Sequence, residues 1–131
     1  MTIELTPEEA RAVERALASA SSRAKQPFSL DRLVARWRRF VDEVAAGYGD
    51  SIYEYTNDLG VRELLEKVMK ESPEPARAKI AQELAPLDSR FDESTQPAKR
   101  PLGNPTSKWS TRVPTKIAGE LERDLRSEGY L

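Results

Sequence analysis

With neither a cysteine nor a histidine among its 131 residues, the chain offers no thiolate, no imidazole base and no disulfide framework. Hydrolysis by the usual serine, cysteine or histidine triads, thiol redox chemistry and ordinary zinc sites are excluded on that ground. What remains is the chemistry of carboxylates, lysine, tyrosine and arginine. Four groupings of these residues have spacings that could matter.

The first is Asp50, Glu54 and Asp58, three carboxylates four residues apart, with Tyr53 and Tyr55 between them. On a helix the carboxylates share one face, where like charges oppose one another. A cationic partner would relieve that repulsion, and tyrosine supplies fairly rigid contact area with a polar tip. The five residues are therefore expected to bind the basic surface of another protein. The competing account is a solvated helix face with Tyr55 turned into the core.

The second and third groupings are basic. Arg32, Arg36, Arg38 and Arg39 surround Trp37, and Lys99, Arg100, Lys108, Arg112 and Lys116 flank Trp109. A nucleic acid would use such residues for phosphate contacts and base stacking, which makes Arg32, Arg36, Arg39, Lys99, Arg100 and Arg112 an alternative site. Local pairing argues against it. Arg38 with Asp42 and Arg39 with Glu43 stand at helical four-residue spacing. Net charge by segment is +1 over 1–48, −5 over 49–95, +5 over 96–119 and −2 over 120–131. The late basic segment is thus expected to fold back over the acidic middle, with Arg112 facing Asp88 or Asp92, since arginine forks match carboxylates.

The fourth grouping is Glu83, Asp88, Asp92 and Glu93. Paired carboxylates can hold magnesium or calcium or serve as acid and base in glycoside hydrolysis. No calcium-loop pattern or glutamate–histidine motif accompanies them, and Arg90 lies among them as a ready partner. No metal or cofactor is expected.

These residues must be positioned by elements, and the elements are mostly helices. A chain of this length can bury about two thirds of its unfolded surface, enough for one domain with a real core. Thr6-Pro7-Glu8-Glu9 is a helix start with Thr6 as N-cap and Glu9 closing a capping box, and that helix is predicted to run to about Ser21. Thr2 to Leu5 alternates like a short strand, and Ser19 to Pro27 reads as a turn. Ser29 caps the next helix, whose core stripe is Leu30, Leu33, Val34, Trp37, Val41, Val44 and Tyr48. In Asp50–Met69 the stripe of Ile52, Tyr55 and Leu59 is out of phase with that of Val61, Leu64, Leu65 and Val68. The slip at Gly60 predicts a kink, or two helices meeting at Asn57 and Asp58; an extended Ile52–Thr56 is the alternative.

A further helix is predicted after Ser72-Pro73-Glu74, where Ala76, Ile80, Leu84, Leu87 and Phe91 keep phase through Pro86. It is expected to bend near Gln82 to Pro86 and to end around Glu93. Ser94 to Ser107 carries Pro97, Pro101 and Pro105 and reads as a loop, either an arm packed by Leu102 or a mobile segment. Trp109 to Val113 reads as a short extended piece. Pro114 is predicted to open a last helix with Ile117, Leu121 and Leu125 on one face, capped by Gly129.

The expected fold is mainly α: a compact single-domain bundle of five or six helices with a Pro-rich basic arm at 94–108 before the C-terminal helix. The acidic, proline-bearing start lacks a secretory pattern and no window is apolar enough to span a membrane, so a cytoplasmic protein is expected. The function that fits best is a non-catalytic protein-binding module, a small bacterial immunity or antitoxin-type inhibitor being the concrete example. A helical nucleic-acid-binding regulator is the alternative. A carboxylate-dependent enzyme would require a pocket in which two of Glu54, Asp58, Asp88 and Asp92 converge. Nothing in the sequence fixes an oligomeric state.

Overall fold

The computed structural model describes residues 3–20, 29–103 and 106–131. The turn predicted over Ser19 to Pro27 lies, from 21 onward, outside the described residues, as do Thr2 and Pro105; Ile3 to Leu5 take no strand. Among the described residues five α-helices make the fold: α1 Pro7–Ala20, α2 Leu30–Ala46, α3 Ile52–Glu71, α4 Ala76–Glu93 and α5 Gly119–Ser127. Between α4 and α5 stand two short strands, β1 Thr95–Pro97 and β2 Arg112–Pro114, with one 3-10 turn at Trp109–Thr111. The mainly α bundle expected from the pattern is the fold observed.

Local capping places the first two helices. Thr6 Oγ1 accepts from the Glu9 N–H at 3.2 Å and Glu9 Oε1 accepts from the Thr6 N–H at 2.8 Å, a reciprocal capping box. The same Oε1 takes the Lys79 ammonium of α4 at 2.7 Å, tying the start of α1 across the bundle and holding the Glu9 carboxyl below its ordinary range. Ser29 accepts from the Arg32 N–H at 3.1 Å and starts α2. The whole predicted stripe of α2, from Leu30 to Tyr48, is buried, and Phe40 joins it.

Helix α3 is the axle. It packs against α1, α2, α4, α5 and the 3-10 turn, and Tyr55, Leu59, Val61, Arg62, Leu65, Val68 and Met69 are buried around it. A helix enclosed on several sides needs no single stripe, and α3 is one helix through Gly60, which corrects the two helices meeting at Asn57 and Asp58 and the extended Ile52–Thr56. A Cβ at Gly60 would meet nothing within 4 Å. Gly60→Ala is accordingly expected to raise stability by about 0.5–1 kcal/mol, the usual difference in a helix interior, read as a higher urea midpoint at unchanged slope.

Helix α4 keeps Pro86 within one uninterrupted helix, and Ala76, Ile80, Leu84 and Phe91 are buried, so the apolar register does pass through the proline. After Glu93 the structure corrects the predicted loop. Strand β1 pairs antiparallel with β2 in the register Thr95↔Pro114, Gln96↔Val113 and Pro97↔Arg112. Beyond it the Ala98 N–H donates to Thr111 O at 2.9 Å, the Lys99 N–H to Tyr130 O at 2.9 Å and the Leu102 N–H to Ser110 O at 2.7 Å. Leu102 is 3% exposed. From Ser94 to Leu102 the segment is a packed arm, because so many backbone groups left free would cost more than the pairing that satisfies them.

Pro114 closes β2 instead of opening a helix. The residues that follow are held by the α2–α3 junction: the Tyr48 N–H donates to Lys116 O at 3.1 Å and the Ala118 N–H to Tyr48 O at 3.2 Å, a parallel bridge of Tyr48 with Ile117. Only then does α5 begin, at Gly119 with φ +54°, where a Cβ would stand 2.9 Å from the Gly49 carbonyl oxygen. Gly129, φ +78°, ends α5 as predicted, with the Tyr130 N–H donating to Leu125 O at 2.9 Å. No helix among the described residues is long and apolar enough to cross a membrane.

Candidate functional site

The first turn of α3 is fixed from three directions. Ser51 caps it by accepting from the Glu54 N–H at 3.2 Å, Asp50 Oδ1 accepts from the Ser51 N–H at 2.8 Å, and Asp124 Oδ2 of α5 accepts from the Ile52 N–H at 3.0 Å. Acidic groups there also answer the positive end of the helix dipole. From this anchored start Asp50, Glu54 and Asp58 line one hollow of about 190 Å³ between α2 and α3, and Glu43 adds a fourth carboxylate.

The opposite wall was not foreseen. Arg36 and Arg39, assigned on sequence to a separate basic site, line the same hollow. Arg36 stands 3.8 Å from Asp58, and the Tyr48 hydroxyl donates to Asp58 Oδ2 at 3.3 Å. Burial pushes the Asp58 carboxyl up from its ordinary value, aided by Glu43 and Glu54 and opposed by Tyr48 and Arg36. Burial, then the Asp58 charge, pushes the Tyr48 phenol up as well, so it stays protonated and donates.

A raised folded-state value means that the folded protein binds this proton more tightly than the unfolded chain does. Folding is favoured with Asp58 protonated, below its ordinary 3.8, and that advantage is lost as pH rises through the raised value. Asp58→Asn, which can still accept from Tyr48, is expected to be more stable than the parent at neutral pH. Thermal melts should show the difference shrinking as the medium is acidified toward pH 3.8.

Tyr55 is corrected. Its ring lies in the core, 5.5 Å from Phe40 and 5.3 Å from Tyr48, and its hydroxyl donates to Arg112 O at 2.8 Å, so it cannot belong to an exposed face. Helical geometry explains the split, since adjacent side chains point about 100° apart. Tyr53 takes the opposite course at 77% exposure and borders a second groove of about 420 Å³. That groove is walled by Ile52, Tyr53 and Thr56 of α3, by Leu102 of the arm, and by Asp124, Glu128 and Tyr130 at the chain's end.

The six cations of the alternative site are dispersed. Arg36 and Arg39 face the hollow; Arg32 lies at the start of α2. Arg100 lies over the Tyr130 ring at 4.3 Å and donates to Glu128 O, while Lys99 is fixed there through its backbone. Arg112 donates to Thr95 Oγ1 at 2.7 Å and Thr95 O at 2.8 Å, with Asp92 Oδ1 at 3.9 Å. The expected approach of Arg112 to Asp92 is thus observed, but the arm does not cover Asp50, Glu54 or Asp58. Predicted local pairs also gave way: Arg38 bonds Glu83 at 3.0 Å and Arg90 pairs with Asp42.

The fourth grouping is scattered as well. Asp88 is engaged by Trp37 and Arg62, Glu83 by Arg38, and among the described residues no three acidic groups are placed to hold a metal ion. Trp109, 5% exposed and with Arg62 and Lys108 both over its ring, is a core anchor and offers no stacking platform. Arg62, buried at 4% exposure, was missed; Glu66 one turn on was its only sequence signal. Glu54 and Asp58 do converge on one hollow, yet about 190 Å³ is well short of the roughly 300–1,000 Å³ of small-molecule sites. It suits the tip of a side chain. The chain matches no family model, no curated protein and no solved structure.

Proposed function

We propose that the chain is a non-catalytic binding protein that docks on a basic surface of another protein through the acidic hollow and Tyr53 beside it. The observation that carries the reading is Tyr53, the one large hydrophobic side chain exposed among the described residues, standing on the same helical turn as Glu54. Aromatic contact area beside carboxylates of which, among the described residues, only Asp58 forms an ion pair is what electrostatic docking needs, for fast encounter as well as for register. An inhibitor of the small immunity or antitoxin class, cytoplasmic and bacterial, is the concrete form: it masks a basic active site and performs no chemistry. Dispersal of the six cations favours this reading over a nucleic-acid interface, which requires a contiguous basic stripe.

The test is charge reversal. Asp50 and Glu54 are exposed, so replacing both by lysine is expected to keep the fold and to lower its stability by only about 1–2 kcal/mol, through the lost Ser51 contact and two cations at the positive end of α3. Like charges facing one another cost several kcal/mol, so partner capture in a pull-down read by mass spectrometry should fall by about a hundredfold or more. Unchanged capture, or loss of stability in its place, overturns the reading.

A further inference from the structure

We propose that the groove between the start of α3 and the end of α5 receives one arginine side chain of the basic partner, stacked on Tyr53 and facing the carboxylates of Asp124 and Glu128. This rests on the docking function proposed above and gives it a chemical identity. Three observations carry it.

Among the described residues the groove is lined by two carboxylates and two tyrosines and by no cation, Arg100 standing at its end over Tyr130. Asp124 uses Oδ2 to hold the Ile52 N–H, and its Oδ1 has no donor among the described residues. The Glu128 carboxylate is exposed and has no ion-pair partner among them. Charge complementarity therefore calls for a cation, and the hollow between α2 and α3, already supplied with Arg36 and Arg39, lacks that one-sided demand.

The chain itself seats a guanidinium at one end of the same groove. Arg100 lies 4.3 Å above the Tyr130 ring and donates to the Glu128 carbonyl. Tyr53 presents a second ring on the groove wall with its face open, 77% exposed. A planar guanidinium stacks on such a face and forks to carboxylates, whereas the compact, strongly hydrated ammonium of lysine does neither as well.

Space decides the remaining point. About 420 Å³, floored by Leu102 and edged by Ile52 and Thr56, accommodates one long side chain with its methylene stem against apolar surface and its head toward the carboxylates.

The experiment titrates the isotope-labelled full chain with the blocked peptide acetyl-Gly-Gly-Arg-Gly-Gly-amide and its lysine and citrulline counterparts, followed by amide chemical shifts. Saturable shifts are expected at Ile52, Tyr53, Thr56 and Tyr130 with a dissociation constant on the order of millimolar. Affinity should be about tenfold weaker for lysine and immeasurable for uncharged citrulline. Tyr53→Ala and Glu128→Gln, both exposed positions, should abolish the shifts without moving the melting temperature. Equal affinity for arginine and lysine, shifts that survive Tyr53→Ala, or no saturable shift at all overturns the proposal. Shifts centred on Glu43 and Asp50 would move the cation to the hollow, overturning the groove while leaving the docking function standing. Peptide binding at the groove combined with a partner captured normally by the double lysine variant would do the reverse.

Discussion

Asp88→Ala is expected to destabilise the protein by about 3–5 kcal/mol, the usual consequence of removing one partner from a buried ion pair. Asp88 Oδ2 accepts from Arg62 Nη2 at 2.8 Å, and its Oδ1 accepts from Arg62 Nε at 2.9 Å and from Trp37 Nε1 at 3.0 Å. The Arg62 side chain is 5% exposed. Without Asp88 the guanidinium keeps Glu66 at 2.9 Å and the face of Trp109, and the indole N–H of Trp37 loses its acceptor inside the core. Against a total stability of about 5–15 kcal/mol, such a loss is a large fraction of the whole. Urea denaturation followed by fluorescence measures it. Glu66→Ala, at the solvent end of the same arginine, should cost less than about 1 kcal/mol. Replacing Arg62 and Asp88 together by methionine and leucine should recover most of the loss, since the desolvated charge goes with its partner. A double variant as unstable as Asp88→Ala would show that packing, and not the stranded charge, dominates.

Trp37→Ala is expected to cost a similar amount, about 3–5 kcal/mol, by a different route. Trp37 is fully buried, and its ring lies 5.2 Å from Phe91, 5.5 Å from Phe40 and 5.6 Å from Trp109. Those neighbours come from α2, from α4 and from the 3-10 turn, so relaxation of any one element cannot close the cavity. The chain has two tryptophans; the variant leaves Trp109 as sole reporter, and its emission should move toward that of solvated indole as water enters. Because Trp37 and Asp88 share a hydrogen bond, the effects of Trp37→Ala and Asp88→Ala should fall short of additivity by about 0.5–3 kcal/mol. Strict additivity would separate the two sites energetically and remove the bond from the account.

Local chemistry was the legible part of this fold. The Thr6–Glu9 capping box, the Ser29 cap, the α2 stripe and the Gly129 stop each depend on residues within a few positions of one another, and each stands where the pattern placed it. What was illegible depended on distant partners. Gly60 disturbs a one-sided stripe, but α3 is covered on several sides, a fact that belongs to the neighbours. The ribbon of β1 with β2 joins Thr95 to Pro114, and no residue near either end announces the other. Arg38 had Asp42 one turn away and took Glu83 of another helix. In the candidate site the four-residue spacing did bring Asp50, Glu54 and Asp58 to one hollow. Spacing along α3 could not reveal that Arg36 and Arg39 of α2 share it, or which way Tyr53 and Tyr55 divide.

The bridge of Tyr48 with Ile117 and the ribbon beside it have a consequence in time as well as in space. Helices α1 to α4 precede in the chain everything that covers the Trp109 and Arg112 side of the core. At about 5–20 residues per second, the ribosome takes a few seconds to add the ribbon and α5 after α4 has been made. During those seconds Trp37, Tyr55 and Phe91 lack the indole and the carbonyl that later meet them. The nascent chain therefore passes through a stage with an open aromatic face, a form suited to capture by holdase chaperones.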